Sequence, residues 1–333
     1  MKRKIAKKRL IRHPLIERQL LRLKTAWDWI IAKQVGLLIH FAKKLPAARS
    51  TALFGSIAYQ LAPVLPRTKL AKRNLRAAFP EKSNKEINAL AREVWRNVGQ
   101  AIAEYVFLDE LFDYDVDNPD AGRIEVRGVE QFKAILDKQK PVIIFTGHTG
   151  NWEILPVAAS TYGLEVTALF RPPNNRFLAK RVLKARKTSK GHLVPSRAGA
   201  AWSLANVLEV GQTVGLLADQ ALTRGVPIEF FGRKATGNPL AARLAKQFEC
   251  DIHPARCIRL PGGRYRLELL PALDLPKDGK GRLDVEATTQ MINSVIEGWV
   301  REYPAQWLWL HDRWKLKPVR VRKMQEKQRK KHA

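Results

Sequence analysis

The sequence predicts an α/β fold: a mixed, mostly parallel sheet flanked by helices and preceded by a helical, membrane-associating N-terminal region. Apolar residues recur at three- and four-residue spacing from Leu15 to Phe112, which is typical of helices. Beyond this region, short apolar runs alternate with amphipathic stretches, as in βαβ units. A long amphipathic stretch from Asp284 to Tyr303 predicts a closing helix.

The elements of the predicted core follow from the same periodicities. The predicted strands are 124–126, 141–145, 166–170, 192–194, 214–218, 252–259 and 264–269. The predicted helices among them are 129–137, 174–187, 198–210 and 239–248. The chain therefore divides into a basic arm with a helical membrane-associating region (1–112), an α/β core (113–313) and a basic mobile tail (314–333).

The chain carries an unusually large positive charge. Its 333 residues include 60 Lys and Arg against 31 Asp and Glu, a formal net charge of +29. Basic residues are dense in arms at 2–24 and 313–331, and the surplus raises a field that attracts polyanions. The charge therefore predicts an acidic partner: nucleic acid, phospholipid head groups or an acidic carrier protein.

The N-terminal region predicts a helix that lies on a membrane surface. Its basic start lacks the apolar core and cleavage site of a secretory signal. The stretches 26–42 and 50–66 are interrupted by residues unsuited to a span, which needs roughly 20 mostly apolar residues. Trp27 and Trp29 suit head-group depth, with flanking Lys and Arg against anionic lipid. A core-facing amphipathic helix is the alternative.

The sequence implies neither a metal nor a cofactor. Two cysteines, Cys250 and Cys257, lie in one stretch that reads as a strand, without a second pair to complete a zinc site. No phosphate loop ending in Gly-Lys-Ser occurs. A reduced, cytosol-facing protein is the simplest interpretation.

The segment Thr146-Gly-His-Thr-Gly-Asn-Trp-Glu153 carries the candidate chemistry. It follows an apolar strand, and the carboxyl ends of strands form the binding edge of an α/β sheet. We expect Gly150 to turn the backbone, Asn151 to cap the next helix and Glu153 to lie in its first turn. A Glu153 carboxylate bonded to one ring nitrogen of His148 would leave the other nitrogen as a general base. Alternatively, Glu153 is only a capping carboxylate.

The sequence lacks the usual carriers of an acyl-enzyme. It has no Gly-x-Ser-x-Gly elbow, and neither cysteine lies in a strand-to-helix turn. A base without an enzyme nucleophile predicts direct attack by an acceptor hydroxyl on an acyl carbonyl.

Motifs along the whole chain point to one family. They are Asn74-Leu-Arg-Ala-Ala-Phe-Pro80, the His148 to Glu153 block, Phe170-Arg-Pro172, Gly215-Leu-Leu-Ala-Asp-Gln220, Phe230-Phe-Gly-Arg233, Ala241-Ala-Arg-Leu-Ala245 and Pro304-Ala-Gln-Trp-Leu-Trp-Leu-His-Asp-Arg-Trp-Lys315. In this order and spacing, the chain resembles the lipid A late acyltransferases, the lauroyl and myristoyl transferase family of Gram-negative bacteria. The His148 block resembles that family's HX4E motif.

The resemblance implies acyl transfer at the cytoplasmic face of the inner membrane, by a peripheral or singly anchored protein. The donor would be the thioester of acyl carrier protein, and the acceptor a hydroxyacyl chain on a lipid A precursor. His148 would take the hydroxyl proton and Glu153 would orient His148. N–H groups near Gly150 and a nearby arginine would stabilise the carbonyl oxygen. The basic arms would meet the acidic carrier, phosphorylated lipid A and anionic lipid.

Four further charged residues enter the candidate site. Arg171 follows a strand and is expected to hold a phosphate or the carrier's phosphopantetheine; a surface ion pair is the alternative. Asp219 follows another strand, and the resemblance suggests that it holds an arginine, with Arg186 as the candidate partner. Arg233 is expected just before a helix N-terminus, where it would suit an anionic ligand; a solvated turn is the alternative.

Other aromatic and histidine residues are predicted to be structural. Trp307, Trp309 and Trp314 read as core residues, and His311 as structural or surface.

Two rival functions stay open. An acyltransferase of the same mechanism could act on a glycerol phosphate or another glycolipid, although such relatives more often carry Asp where this chain has Glu153. A basic nucleic-acid-binding protein would explain the charge alone, but the chain has no zinc finger, RRM signature or basic leucine zipper. We therefore expect no nucleic-acid partner.

Overall fold

The structure, a computed structural model, describes residues 14–138, 140–170, 173, 175–180, 191–196 and 198–314. Two predicted site residues, Arg171 and Arg186, lie outside the described residues. So do the start of the basic arm and, apart from Trp314, the predicted basic tail.

The front of the described chain is helical, as predicted. It consists of α1 (Pro14–Ala42), α2 (Ala47–Leu61), α3 (Thr68–Ala78), α4 (Asn84–Glu104) and α5 (Leu108–Leu111). Ser83 caps α4 in a reciprocal capping box with Glu86. Helices α2 and α4 cross closely at Gly99, where an added Cβ atom would lie 2.5 Å from the carbonyl oxygen of Phe54. The small residue thus sets the approach of the two helices.

The core is a mostly parallel, seven-stranded sheet. The strands of the chain are β1 (Ile124–Arg127), β2 (Val142–Thr146), β3 (Val166–Phe170), β4 (His192–Pro195), β5 (Thr213–Leu217), β6 (Val226–Phe230), β7 (Arg233–Gly237), β8 (Asp251–Leu260) and β9 (Arg264–Leu269). The sheet order is β1-β9-β8-β2-β5-β3-β4, with β8 and β9 antiparallel and the other described pairs parallel. The predicted fold class is confirmed.

Strands β6 and β7 form a separate antiparallel hairpin that the sequence analysis did not predict. The seven predicted strands all occur, each with its ends within one residue of the predicted bounds.

Helices flank the sheet. They are α6 (Val129–Lys138), α7 (Ile154–Thr161), α8 (Ala200–Glu209), α9 (Leu240–Phe248) and α10 (Val285–Glu302). Residues 176–180 are also helical, within the predicted helix 174–187. The closing helix α10 begins after Asp284, whose side chain accepts from two backbone N–H groups of its first turn. Its buried residues Ile292 and Ile296 belong to the same hydrophobic core as Phe145 of β2.

Residues 304–314, here called the C-terminal strap, join the helical front to the sheet. Trp307 and Trp309 are only 1% and 0% exposed, so both are core residues, as predicted. Trp307 forms a β-bridge with Thr149 in the loop after β2. From α3, the Nδ2 atom of Asn74 donates to the carbonyl oxygen of Trp309 at 2.9 Å. The strap thereby connects α3 to the loop that carries His148.

Much of the outward surface of α1 and α2 is apolar. Its exposed large hydrophobic residues are Leu20, Leu23, Trp27, Trp29, Ile30, Leu37, Leu38, Phe41, Leu53, Ile57 and Leu61. Because so many apolar side chains of α1 stay exposed against the described chain, α1 is not an ordinary core-facing helix. Among the helices that the structure describes, none is both long enough and apolar enough to cross a membrane.

Candidate active site

The candidate site lies where two neighbouring parallel strands end. Strands β2 and β5 pair in register, with Thr146 opposite Leu217. The loops that follow them therefore start side by side, and the N–H of Ala218 donates to the carbonyl oxygen of Thr146 at 2.9 Å. This pairing brings His148 and Asp219 together at the carboxyl edge of the sheet, where sequence analysis placed each of them separately.

Asp219 holds His148 through both the ring and the backbone. The Oδ1 atom of Asp219 lies 2.8 Å from Nδ1 of His148, and Oδ2 accepts from the His148 N–H at 2.9 Å. Trp307 donates its indole N–H to the same Oδ2 atom at 2.7 Å. A carboxylate at Nδ1 fixes the proton on that nitrogen and leaves Nε2 as the basic atom.

The Asp219 carboxylate raises the pKa of His148 and so stabilises the imidazolium that forms when Nε2 takes a proton. Asp219 is 0% exposed, and burial by itself would raise its pKa, but the charge and hydrogen bonds of His148 hold that pKa well below its ordinary value. Burial likewise would lower the pKa of His148; the Asp219 charge and hydrogen bond, with the charge of Glu153, raise it overall. The pair can therefore stabilise an imidazolium.

The carboxylate bonded to Nδ1 of His148 is that of Asp219, and the catalytic role expected of Glu153 stays a prediction. Glu153 acts on His148 through its charge, which raises the pKa of the ring. It is the residue that precedes α7 rather than a residue of the first turn. Sequence proximity suggested Glu153, whereas strand pairing brings in Asp219 from 71 positions away.

Asp219 was expected to hold an arginine. In the described chain its carboxylate accepts from His148 and Trp307. The candidate partner Arg186 lies outside the described residues, as does Arg171, so the roles expected of both stay predictions.

Two further residues contact the imidazole ring of His148. The side-chain amide nitrogen of Gln220 lies 3.3 Å from Nε2 of His148. This contact suits an amide N–H that donates to a basic Nε2. The ring of Trp152 meets the imidazole edge to face, with centroids 4.8 Å apart. Gln220 is exposed, so the Nε2 side of His148 is next to the open side of the site.

Gly150 shapes the loop but does not offer its N–H to an oxyanion, contrary to expectation. The N–H of Gly150 donates to the carbonyl oxygen of Gln306 in the strap at 3.0 Å. Its φ is +57°, and a Cβ atom there would lie 2.1 Å from the carbonyl oxygen of Cys257. Glycine is required because both the backbone angle and the close approach exclude a side chain. The neighbouring N–H groups of His148 and Thr149 are also used within the loop.

Asn151 closes the turn that leads into α7 and also braces the loop. Its Oδ1 atom accepts from the N–H of Glu153 at 3.2 Å, which closes a turn before the helix. Its Nδ2 atom donates to Glu104 at 2.8 Å. Glu104, at the end of α4, is completely buried and also accepts from the Tyr265 hydroxyl at 2.6 Å. Arg259 forms a buried ion pair with the same carboxylate.

This buried network was not predicted from the sequence. No local pattern marks Glu104, because it stands in an amphipathic helix among other charged residues. Its partners come from α4, β8, β9 and the loop after β2, which only the folded chain brings together.

Arg233 was predicted to lie just before a helix N-terminus, and this prediction is wrong. It opens strand β7 directly after the turn at Phe231 and Gly232, both of which have positive φ. Its side chain is exposed, and its guanidinium carbon lies 5.9 Å from the centroid of the Trp314 ring. Arg233 therefore lies at a solvated turn, which was the alternative prediction. No helix N-terminus follows it directly that would support an anion site there.

Comparisons with known proteins agree with this architecture. A family model described as bacterial lipid A biosynthesis acyltransferase matches residues 15–316. The chain is 24% identical to a lipid A biosynthesis lauroyltransferase of Escherichia coli K12 over 269 residues, which is 77% of this chain and 81% of that protein. It is 24% identical to a palmitoleoyltransferase of the same organism over 262 residues, 76% and 80% of the two chains.

A further relative comes from a mycobacterium. The chain is 27% identical over 199 residues to a phosphatidylinositol mannoside acyltransferase of Mycolicibacterium smegmatis. That alignment covers 58% of this chain and 62% of the relative, so it spans less than two thirds of the mycobacterial protein.

Proposed function

Because this chain belongs to the bacterial lipid A biosynthesis acyltransferase family, we propose that it acylates a hydroxyl of a lipid A precursor with His148 as general base. The chain is an acyltransferase of lipid A or a related glycolipid. The observation that supports His148 as the general base is its pairing with Asp219 at the carboxyl edge of the sheet. Nδ1 of His148 lies 2.8 Å from Oδ1 of Asp219. The donor in this proposal is the thioester of acyl carrier protein, and the acceptor hydroxyl belongs to a hydroxyacyl chain.

In the proposed reaction, Nε2 of His148 removes the proton of the acceptor hydroxyl while its oxygen attacks the thioester carbonyl. The imidazolium that forms is stabilised by the Asp219 carboxylate at Nδ1 and by the charge of Glu153. Collapse of the tetrahedral intermediate breaks the carbon–sulfur bond. The leaving thiolate then takes the proton from Nε2, which restores neutral His148 and yields an ester and a thiol.

The developing negative charge on the carbonyl oxygen needs a hydrogen-bond donor. The N–H groups of 148, 149 and 150 already have acceptors within the protein. We assign this role to the amide of Gln220, which lies on the reacting side of the ring, 3.3 Å from Nε2. Once Nε2 carries a proton it no longer accepts from Gln220, so the amide N–H becomes available to the oxyanion.

A peripheral position on the cytoplasmic face of the inner membrane fits the exposed apolar surface of α1 and α2. Trp27 is 63% exposed and Leu23 67% exposed, both on α1. Tryptophan and leucine side chains on such a helix suit the boundary between head groups and acyl chains. The net charge of +29 adds attraction to anionic lipid and to an acidic carrier protein.

An acceptor panel tests the proposal. Purified protein is given radiolabelled acyl chains on acyl carrier protein or on coenzyme A, with each of three acceptors: tetra-acylated lipid A precursor, phosphatidylinositol mannoside and glycerol 3-phosphate. The proposal expects transfer from acyl carrier protein to the lipid A precursor. Preference for the mannoside would move the assignment to another glycolipid, and preference for glycerol 3-phosphate would reject lipid A as the substrate.

A further inference from the structure

A groove between α3 and α4 has the features of an anion site. Its volume is about 180 Å³, and small or buried residues form its floor, namely Ala62, Thr68 and Ala91. Lys72 from α3 and Arg92 from α4 line it, together with residue 88, an asparagine. No carboxylate is among the lining residues.

The two cations of this groove lack the partners that neighbouring cations have. One residue from Lys72, Arg73 pairs with Asp312 at 2.7 Å; four residues from Arg92, Arg96 pairs with Glu93 at 2.9 Å. In the described part of the chain, neither Lys72 nor Arg92 makes such an ion pair. Two unpaired cations facing one groove repel each other unless an anion lies between them.

Local structure adds to the positive potential. Helix α3 begins at Thr68 on the floor of the groove, and its N-cap residue provides no side-chain cap. The positive end of the α3 dipole therefore lies at this groove, although the N–H of Thr68 itself donates to the carbonyl oxygen of Leu65 at 3.1 Å. The guanidinium carbon of Arg92 rests 5.6 Å from the centroid of the Tyr59 ring, which orients the side chain without neutralising it.

Two exposed apolar residues lie next to the groove in the chain. Leu61 precedes the lining residue Ala62 and is 48% exposed, and Val64 follows the lining residue Pro63 and is 78% exposed. A ligand that placed a phosphate in the groove would thus have an apolar surface beside it. This combination fits a phosphate ester carried by acyl chains better than a free phosphate ion.

We propose that the α3–α4 groove binds the phosphate group of a membrane lipid, through Lys72 and Arg92. The ligand class is a lipid phosphate monoester or diester, whether of a phospholipid or of a phosphorylated glycolipid. The site would fix one point of the protein on the membrane surface. The proposal rests on the proposed membrane location, but not on the acyl-transfer chemistry of His148.

The test measures binding by isothermal titration calorimetry, using the full chain in a neutral detergent. The ligands are dihexanoylphosphatidic acid, dihexanoylglycerol, which has the same chains without phosphate, and inorganic phosphate. The test variant is K72Q/R92Q. The matched control, K69Q/K85Q, removes the same charge from exposed positions on the same two helices, outside the groove.

We expect dihexanoylphosphatidic acid to bind more tightly than either other ligand. The K72Q/R92Q variant should weaken that binding by about tenfold or more, and the control by less than about twofold, because only the former loses charged hydrogen bonds. Equal losses in both variants would overturn the proposal in favour of a diffuse field. Equal affinity for inorganic phosphate would overturn the lipid assignment.

The His148→Ala variant separates this proposal from the proposed function. It should bind dihexanoylphosphatidic acid like the wild type even though its acyl transfer is lost. Loss of lipid binding in His148→Ala would show that the bound site is the active site and not the groove. Thermal melting of every variant confirms that each is folded.

Discussion

Replacing Asp219 by Asn should nearly abolish acyl transfer by changing which nitrogen of His148 carries the proton. The Oδ2 atom of Asp219 accepts two hydrogen bonds, from the His148 N–H at 2.9 Å and from Trp307 at 2.7 Å. An asparagine must keep its oxygen at that position, because an NH₂ group there would face two donors. Its NH₂ group is then placed against Nδ1 of His148.

In Asp219→Asn, the reacting nitrogen of His148 would carry a proton. An NH₂ group 2.8 Å from Nδ1 requires that nitrogen to accept, so the proton moves to Nε2 and the reacting nitrogen loses its lone pair. The imidazolium also loses its buried counter-charge. By analogy with Asp-to-Asn changes in Ser-His-Asp triads, we expect kcat to fall by about 10³ to 10⁴, or about 4 to 5.5 kcal/mol in the barrier.

Initial rates of acyl transfer from about pH 5 to 9 provide the assay. Glu153→Gln is the comparison, because the charge of Glu153 raises the pKa of His148. Its loss should lower that pKa and move the rising limb of kcat/KM to lower pH, with a much smaller loss of kcat. A folded Asp219→Asn variant that retains more than about a tenth of wild-type kcat would contradict this role of Asp219, as would a larger loss in Glu153→Gln.

Three further predictions concern stability and membrane binding. Glu104→Gln leaves the buried Arg259 without its counter-charge, so urea unfolding should report a loss of about 3–5 kcal/mol, whereas a loss under about 1 kcal/mol would contradict the ion pair. Gly99→Ala should lower the free energy of unfolding by about 1–3 kcal/mol, because the added Cβ atom has no room at the α2–α4 crossing. The control Gly298→Ala has open space around its Cβ position and should stabilise α10 by up to about 1 kcal/mol. Equal shifts of the melting temperature in the two variants would contradict the close crossing. High salt should extract part of the protein from membranes, and Trp27→Glu should increase that fraction; complete resistance to salt would favour a spanning helix.

The sheet was predictable because its strands are short apolar runs bounded by turn residues. Two examples are the strands Val142–Thr146 and Thr213–Leu217. In each of them threonine is the only polar residue. The β6–β7 hairpin was missed for the opposite reason. Val226–Phe230 contains proline and glutamate, and Arg233–Gly237 begins with two cations, so neither has the continuous apolar run of a central strand.

The site was predictable only in part. His148 and Asp219 each follow an apolar strand, so their position at the binding edge follows from the chain alone. Their contact depends on β2 and β5 being neighbours, and strand order is not encoded in local periodicity. The pairing of Trp307 with Asp219, 88 residues apart, is likewise a product of tertiary structure. For this reason Glu153, the carboxylate nearer in sequence, was predicted as the partner of His148.

The His148→Ala variant removes the proposed general base itself. The variant is compared with wild type and with His192→Ala, which removes a histidine whose side chain is 69% exposed at β4. Transfer of radiolabelled acyl chains from acyl carrier protein to tetra-acylated lipid A precursor is measured for all three. We expect near-complete loss in folded His148→Ala and wild-type rates in His192→Ala. Wild-type rates in His148→Ala would contradict the assignment of His148 as the base.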